Sequence, residues 1–204
     1  MSPRTYHSPR RAEQAQATRE ALVAAADRLF RDQGWAATGM RDIAREAGVA
    51  TETIYSHFPS KVDLLRRVVE VAIVGDDDAT PIADRPEFLA IGEGDRPARV
   101  AAAARLLAGI HGRMGTLFGV LREAAPGDEG AAETLLAFRQ QERRDVGAGL
   151  ELLVGRAPTD DERDGAWALM TPDVYLLLVE EAGWSVARYE AWMAATLDAV
   201  VPTS

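Results

Sequence analysis

Apolar residues recur at three- and four-residue steps along most of the chain, and the strict alternation typical of strands is scarce. The first such stripe lies between residues 13 and 33, and we expect Gly34 to end that helix. Two short helices are predicted next, over residues 40–47 and 51–57, with Gly48 between them. A fourth helix is predicted over residues 61–74, with Ser60 as its N-cap.

The rest of the chain carries longer helical patterns. Residues 75–96 are rich in glycine, proline and aspartate and predict a loop with one helical turn over 87–91. Behind the loop we expect helices over residues 97–112, 114–125, 128–154, 160–181 and 186–200, with Gly112 as the break between the first two. Pro172 falls inside the fourth of these and predicts a kink or a restarted helix. The chain as a whole is therefore predicted to be all-α.

The charge of the chain is unevenly distributed along its 204 residues. Residues 1–61 contain nine basic and seven acidic residues, which gives a net charge of +2. Because the whole chain carries −9, residues 62–204 carry −11. This asymmetry is typical of a nucleic-acid-binding head on an acidic body. Residues 1–12 are predicted to be a flexible basic arm, in which Arg4, Arg10 and Arg11 could follow the DNA backbone or enter a minor groove. The alternative is a tail without a role.

Several classes of protein are disfavoured by composition. The chain has no cysteine, and its three histidines are too scattered to predict a zinc cluster. It shows neither a membrane-spanning apolar stretch nor a secretory signal, so we expect a cytoplasmic protein. Residues 183–187 approach a nucleophile elbow, but helix precedes them, and Gly183 as a helix stop with Ser185 as an N-cap explains them better. We therefore expect no enzyme, no cofactor and no metal.

Residues 40–58 show the spacing of a helix-turn-helix. Ala44 is small where two helices would cross, and Gly48, four residues later, supplies the turn. Ile54, six residues further on, would fill the wedge between the helices. The alternative interpretation is an ordinary helical hairpin in a bundle.

These residues resemble the head of the TetR family of regulators. The resemblance is carried by Gly34–Thr38, Asp42–Ala44, Ala47–Val49 and above all Thr53–Lys61, and it covers residues 13–74. It implies a helix-turn-helix DNA-binding domain over residues 13–60, with three helices, and an effector-binding and dimerisation bundle over residues 61–204. A weaker resemblance, over residues 167–185, concerns the dimer-forming end of some members. In the family, an effector shifts the spacing of the two heads through the fourth helix.

The resemblance also implies which side chains meet double-stranded operator DNA. Residues 51–57 would enter the major groove, where Glu52 could accept a hydrogen bond from a cytosine amino group. Tyr55, His57 and Lys61, the only lysine, would contact phosphates, and Arg41 would clamp the backbone from the preceding helix. The complete predicted set is Arg41, Thr51, Glu52, Thr53, Tyr55, Ser56, His57 and Lys61.

Two departures from the family pattern weaken this site. Gly39 stands where the family usually has serine or threonine, so the next helix loses a side-chain cap. Residues 46–60 contain no arginine or lysine, but they contain Glu46 and Glu52. The basic arm is therefore expected to help in DNA binding.

The second half is predicted to bind a small-molecule effector and to form a homodimer. Candidate effector contacts are apolar or aromatic residues at helical spacing, which are also the usual content of a core: His111, Met114, Phe118, Phe138, Trp167 and Tyr175. The large apolar faces of residues 160–181 and 186–200 predict the dimer seam. The acidic body favours a neutral or cationic effector.

The sequence thus predicts a ligand-responsive regulator, with repression as the expected sign. It would bind a palindromic operator as a homodimer and be released by its effector. The alternative is a helical ligand-binding dimer whose head has lost DNA binding.

Overall fold

The computed structural model describes residues 9–78 and 80–201, and the regular structure within them is helical throughout. The α-helices are α1 (Pro9–Ala37), α2 (Met40–Glu46), α3 (Thr51–His57), α4 (Lys61–Val74), α5 (Pro86–Leu89), α6 (Arg96–Ala124), α7 (Glu129–Val154), α8 (Asp160–Leu169), α9 (Pro172–Tyr175) and α10 (Val186–Val200). Short 3-10 helices cover Ile82–Asp84 and Ala90–Gly92, and a π-helix covers Leu176–Glu181. The all-α prediction is confirmed.

The chain divides into two compact units, and the division falls within α4, between Val68 and Val69. The sequence places the boundary slightly earlier, at the start of α4. Helix α1 begins at Pro9, so residues 9–12 of the expected flexible arm are helical. The remainder of that arm, with Arg4, lies outside the described residues.

The first unit is built around one apolar cluster. Helix α1 contributes a stripe with no exposed surface at Leu22, Ala25, Ala26 and Phe30. Ile43 of α2 and Ile54 of α3 are equally buried, and Ala44 is 1% exposed. Spacing of buried residues at three and four positions therefore gives each helix one inward face, as the sequence pattern predicts.

The turn between α2 and α3 depends on Gly48. Its φ of 70° lies in the left-handed region, which a side chain rarely tolerates. The amide of the following residue, Val49, donates to the carbonyl oxygen of Ala44 at 2.9 Å, which closes the turn. The predicted helix-turn-helix is thus present in this unit.

The second unit packs α6 against α10, α7 and α9, with α8 against α7 and α10. Each of these helices contributes to the core of the unit, and α9 does so through Tyr175, which is 6% exposed. The core residues that are less than 3% exposed lie in the helices or directly after them: Ala104, Ala108, Leu150, Leu153, Ala166, Met170, Tyr189, Met193, Leu197 and Val201. No helix in the described part of the chain is long and apolar enough to cross a membrane.

Helix α6 runs without a break, so the prediction of two helices separated at Gly112 is wrong. Gly112 is exposed on the helix, and a Cβ there would lie 3.5 Å from the Tyr175 hydroxyl oxygen. Apolar periodicity continues on both sides of it, from Val100 to Leu121. Gly112 therefore lies within a continuous helix, and a Cβ there would make only an ordinary contact with Tyr175.

The prediction of a restart at Pro172 is confirmed. Helix α8 ends at Leu169, and α9 begins at Pro172, where the missing amide hydrogen costs no helical bond. The π-helix follows, and Gly183, with φ 70°, lies just beyond its end. Ser185 then caps α10 by accepting a hydrogen bond from the Arg188 amide at 3.2 Å, which confirms its predicted role.

Candidate DNA-binding head and effector site

Helix α3 is anchored by two buried residues and presents its other face to solvent. Ile54 has no exposed surface and Phe58, just after the helix, is 2% exposed. Glu52 and Ser56 are exposed, and Tyr55 is 50% exposed, although it is a large aromatic residue. Thr51, Thr53 and His57 are partly buried. The face predicted to read base edges is therefore available in this unit.

One predicted base contact already has an internal partner. The Ser56 hydroxyl donates to the Thr53 carbonyl oxygen at 2.7 Å, a bond within the helix itself. Reading a base with this hydroxyl would require it to rotate away or to accept a second bond. Thr51, Glu52 and Tyr55 carry no such internal side-chain hydrogen bond among the described residues.

The carboxylates around α3 are mostly neutralised by arginines. Glu46 pairs with Arg28 of α1 at 3.0 Å, and Asp42 pairs with Arg45 at 2.6 Å. Glu52 forms no ion pair with any residue that the structure describes. The negative charge on the exposed face of α3 is therefore concentrated in one side chain.

Helix α2 lacks a side-chain cap, as the sequence indicates. Its N-cap is Gly39, and no side chain accepts a hydrogen bond there. Arg41, in the first turn, is exposed, so its guanidinium can approach a phosphate. Its contact with DNA stays a prediction.

Lys61 lies inside the first unit and bridges two of its segments. Its ammonium donates to the carbonyl oxygens of Trp35 at 2.8 Å and Thr38 at 3.0 Å. It also lies 3.8 Å from the centre of the Trp35 ring, which in turn stacks on Phe30. These contacts give Lys61 a structural role that the sequence does not indicate; its predicted phosphate contact stays a prediction.

The second unit contains a buried aromatic cluster at the meeting of α6, α9 and α10. His111 is 2% exposed, and its Nδ1 lies 2.8 Å from the Tyr189 hydroxyl oxygen. Tyr189 meets Tyr175 edge to face at 5.0 Å between ring centres, and His111 contacts both rings. Burial lowers the pKa of His111 to about 3, so the imidazole is neutral at physiological pH.

The predicted effector residues are distributed over two environments. His111, Tyr175, Met114 and Phe118 are all buried, at 6% exposure or less. Phe138 of α7 and Trp167 of α8 are partly buried. The structure brings His111 and Tyr175 into ring contact, while Trp167 instead donates from its indole Nε1 to Glu142 at 2.8 Å.

The head of the chain matches known proteins in its sequence. Residues 22–68 match the family model described as bacterial regulatory proteins, tetR family. The HTH-type transcriptional regulator TtgR from Pseudomonas putida is 41% identical over 58 residues, a match that spans 28% of this chain and 28% of that protein. The head of the chain therefore carries the N-terminal domain of the TetR family.

The TetR-family fold extends over the whole chain. A member of the family from Streptomyces coelicolor superimposes with a TM-score of 0.63 at 20% identity, over 91% of this chain and 99% of that one. The multidrug binding protein EbrR complexed with imidazole also gives 0.63 at 20% identity, over 100% and 99%. At this identity the likeness establishes the fold alone.

Three residues of the body were not among the predicted effector contacts, although two of them, Tyr189 and Trp192, lie in the segment predicted for the dimer seam. Tyr189 joins His111 and Tyr175, and Trp192 lies beside Tyr189 at 6.0 Å between ring centres. Glu142 accepts the Trp167 hydrogen bond from the facing helix. A signal for Glu142 existed, because it lies four residues after Phe138 and therefore on the same helical face. Nothing in the sequence brings Tyr189 together with His111, since 78 positions separate them.

The apolar residues predicted for the dimer seam fall into two groups. Met170, Tyr189, Met193 and Leu197 are buried within the second unit itself, so they serve its own core. Leu169 is 40% exposed, Leu177 53% and Val186 48%. The predicted homodimer stays a prediction, and these exposed residues are the ones in the predicted seam that are not already buried in the second unit.

Proposed function

We propose that the protein is a ligand-responsive transcriptional regulator, with repression as the expected mode. It binds a palindromic operator as a homodimer and is released by a small-molecule effector. The observation that carries this proposal is that α3 of the helix-turn-helix buries one face in the head and exposes the other to solvent. TtgR, similar to the head, is named as an HTH-type transcriptional regulator.

The head supports DNA binding through its exposed polar face. Glu52 and the threonines of α3 suit base edges, while Tyr55, His57 and Arg41 suit phosphates. Arg10 and Arg11, both exposed in the first turn of α1, add positive charge that α3 lacks. Two such heads related by a two-fold axis would read half-sites about 34 Å apart, one turn of DNA.

The body supports an effector site between helices. Its aromatic cluster combines large apolar surface with a few polar groups, which is the usual composition of small-molecule sites. EbrR, similar in fold, is named as a multidrug binding protein. Arg113 of α6 donates to the carbonyl oxygens of Ala72 and Ile73 in the last turn of α4, both at 2.9 Å. Displacement of α6 by an effector would therefore also displace the end of α4, provided that the effector binds the low-affinity state better.

Fluorescence anisotropy with DNA from upstream of the protein's own coding region tests the proposal. The wild-type protein should bind with salt-dependent affinity, and Tyr55→Ala should weaken binding roughly tenfold or more because a phosphate contact and packing on the backbone are lost. Leu89→Ala, at a 49% exposed position in the second unit, is the matched control and should bind normally. Absence of specific binding at any salt concentration would refute the proposal.

A second candidate function is a ligand-binding dimer whose head no longer binds DNA. It is favoured by the absence of arginine and lysine from residues 46–60 and by the internal contacts of Lys61. The DNA titration distinguishes the two candidate functions. If the head no longer binds DNA, the protein should bind its effector but should show no preference for any DNA sequence over a scrambled duplex.

A further inference from the structure

Helix α3 contains neither arginine nor lysine, so a cation beside it must come from another element of the head. The helix has seven residues and is therefore about 10 Å long, while the major groove of DNA is about 12 Å wide. A residue beside either end of an inserted α3 is thus close to the phosphates that flank the groove. A cation held at one of these ends would neutralise them.

The C-terminal end of α3 has the greater need of a cation. The free carbonyl groups at this end of a helix carry partial negative charge, which opposes the approach of a phosphate. Phe58 marks the end, because its amide donates to the carbonyl oxygen of Ile54 at 2.8 Å. Tyr55, which is 50% exposed, lies one turn before Phe58. The end of α3 therefore adjoins a residue that is already predicted to contact phosphate.

Arg19 of α1 brings a guanidinium to this end of α3. Its Cζ lies 4.6 Å from the centre of the Phe58 ring. Phe58 is 2% exposed, whereas Arg19 is only partly buried. Stacking on a ring holds a guanidinium in place and leaves its N–H groups able to bind elsewhere. The side chain is thus positioned at the surface of the head before any partner binds.

The N–H groups of Arg19 are unused within the protein. Arg19 donates no hydrogen bond to, and forms no ion pair with, any residue among 9–78 and 80–201. The positions three and four residues away on α1 are Ala15, Gln16, Leu22 and Val23, so that face of the helix offers no carboxylate.

Other arginines of the head differ from Arg19 in this respect. Three of them are paired with carboxylates: Arg28 with Glu46, Arg31 with Asp27 and Arg45 with Asp42. A guanidinium that already has a carboxylate gains less from a phosphate than one that has no acceptor. Arg19 therefore combines a fixed position beside α3 with a full set of free donors.

We propose that Arg19 binds a DNA phosphate beside the C-terminal end of α3, and that Phe58 positions it for this contact. The inference rests on the DNA-binding function proposed above and adds a contact to the same site. A bond between guanidinium and phosphate is charge-assisted, and it carries no information about the base sequence. Loss of Arg19 should therefore weaken binding to a specific duplex and to a scrambled duplex by similar factors.

The dependence of DNA affinity on salt concentration counts such contacts. The full-length protein is titrated by fluorescence anisotropy with the upstream DNA and with a scrambled duplex, at several KCl concentrations. Each phosphate contact contributes about 0.9 to the slope of log affinity against log salt concentration, so Arg19→Met should reduce the slope by about 2 in a dimer. The apolar part of the methionine side chain still covers Phe58.

Two further variants separate charge from packing. Arg19→Lys keeps the positive charge and should keep the slope of the wild-type protein. Arg31→Met removes the same charge from the same helix, but at a side chain that is paired with Asp27 at 2.9 Å. It is the matched control, and its slope should equal that of the wild-type protein.

A second measurement uses the wild-type protein and needs no variant. Phenylglyoxal modifies accessible arginines, and mass spectrometry reports the extent of modification at each position. Bound DNA should suppress the modification of Arg19, because its N–H groups are then engaged by a phosphate. Arg188 is the control, since it also stacks on a ring, at 3.9 Å from the centre of Trp184, but lies in the second unit. It should react equally with and without DNA.

Each result has a defined meaning. An unchanged salt slope for folded Arg19→Met, or equal modification of Arg19 with and without DNA, would overturn the inference. Lower stability of this variant together with an unchanged slope would mean that Arg19 only covers Phe58. Circular dichroism shows whether the variant is folded, and the protection measurement decides if it is not. Absence of DNA binding by the wild-type protein would refute the proposed regulatory function itself.

Discussion

The ammonium of Lys61 lies 3.8 Å above the ring of Trp35 and donates to the carbonyl oxygen of the same residue at 2.8 Å. One side chain at the start of α4 thus holds both the ring and the backbone of a residue near the end of α1. Thr38, 1% exposed, receives a third contact from the same ammonium. The only lysine of the chain is therefore central to the internal structure of the head.

Lys61→Met should destabilise the head. The variant keeps the length of the side chain but removes the charge, so it loses the contact with the ring and both hydrogen bonds. Together these losses should lower the free energy of unfolding by about 1–3 kcal/mol. Urea titration followed by the fluorescence of Trp35 in a protein whose other tryptophans are phenylalanine would measure it. Arg66→Met, which removes a surface ion pair from the same helix, should change stability by less than about 1 kcal/mol. Equal losses in the two variants would contradict the structural role of Lys61.

The sequence predicted the head well because its signals are local. The positions of Ala44, Gly48 and Ile54 are fixed by a single turn, and all three have the predicted roles in the structure. The contact of Lys61 with Trp35 could not be derived in this way, since 26 positions separate them and a lysine at a helix start is usually solvated. Pairing across that distance is decided by how α1 and α4 pack.

The body was harder to predict because the predicted effector residues come from four helices. Phe138 and Trp167 were proposed as effector contacts and are partly buried, but nothing in periodicity brings Trp167 to Glu142. Gly112 was interpreted as a helix stop because glycine has low helix propensity. That low propensity is outweighed by the apolar residues on both sides of Gly112, from Val100 to Leu121, whose burial stabilises one continuous helix.

Leu177→Glu should weaken the proposed homodimer. Leu177 is 53% exposed in a segment that is expected to form the seam, and a carboxylate there would be desolvated against a second copy. Sedimentation equilibrium should show a dimer for the wild-type protein and a dissociation constant raised at least roughly tenfold for the variant. Leu136→Glu, on α7 outside the predicted seam and 59% exposed, should remain dimeric. A dimer that resists the first change and is disrupted by the second would place the seam elsewhere.

Gly115→Ala should destabilise the second unit, whereas Gly119→Ala should not. A Cβ at position 115 would lie 3.2 Å from Cδ1 of the buried Tyr175 ring, so the ring must shift. Overpacking of this kind costs about 1–3 kcal/mol, which exceeds the gain of about 1 kcal/mol in helix propensity. At position 119 the nearest atom is Cδ1 of Leu176 at 3.8 Å, an ordinary contact, and the propensity gain remains. Thermal unfolding should therefore show a lower midpoint for Gly115→Ala and an equal or higher one for Gly119→Ala.

The buried His111 should make the protein less stable at mildly acidic pH. Burial lowers its pKa to about 3 in the folded state, while an unfolded chain gives histidine its ordinary value of 6.5. Below pH 6.5 the unfolded state therefore takes up a proton that the folded state does not, and stability falls as the pH falls toward 3. Between about pH 7 and pH 5 this loss amounts to about 2 kcal/mol.

His111→Gln isolates this contribution, because glutamine does not titrate and can still bond to the Tyr189 hydroxyl. Urea unfolding at about pH 7, 6 and 5 should show a wild-type protein that loses about 2 kcal/mol more than the variant over this range. Glu142, whose raised pKa acts in the opposite direction, is present in both proteins and cancels in the difference. If the glutamine forms a longer bond to Tyr189 than the histidine does, the variant is less stable than the wild-type protein already at neutral pH. The test therefore compares only how the free energy of unfolding changes with pH in the two proteins. Parallel slopes would mean that water reaches His111 and that it is protonated within the folded protein.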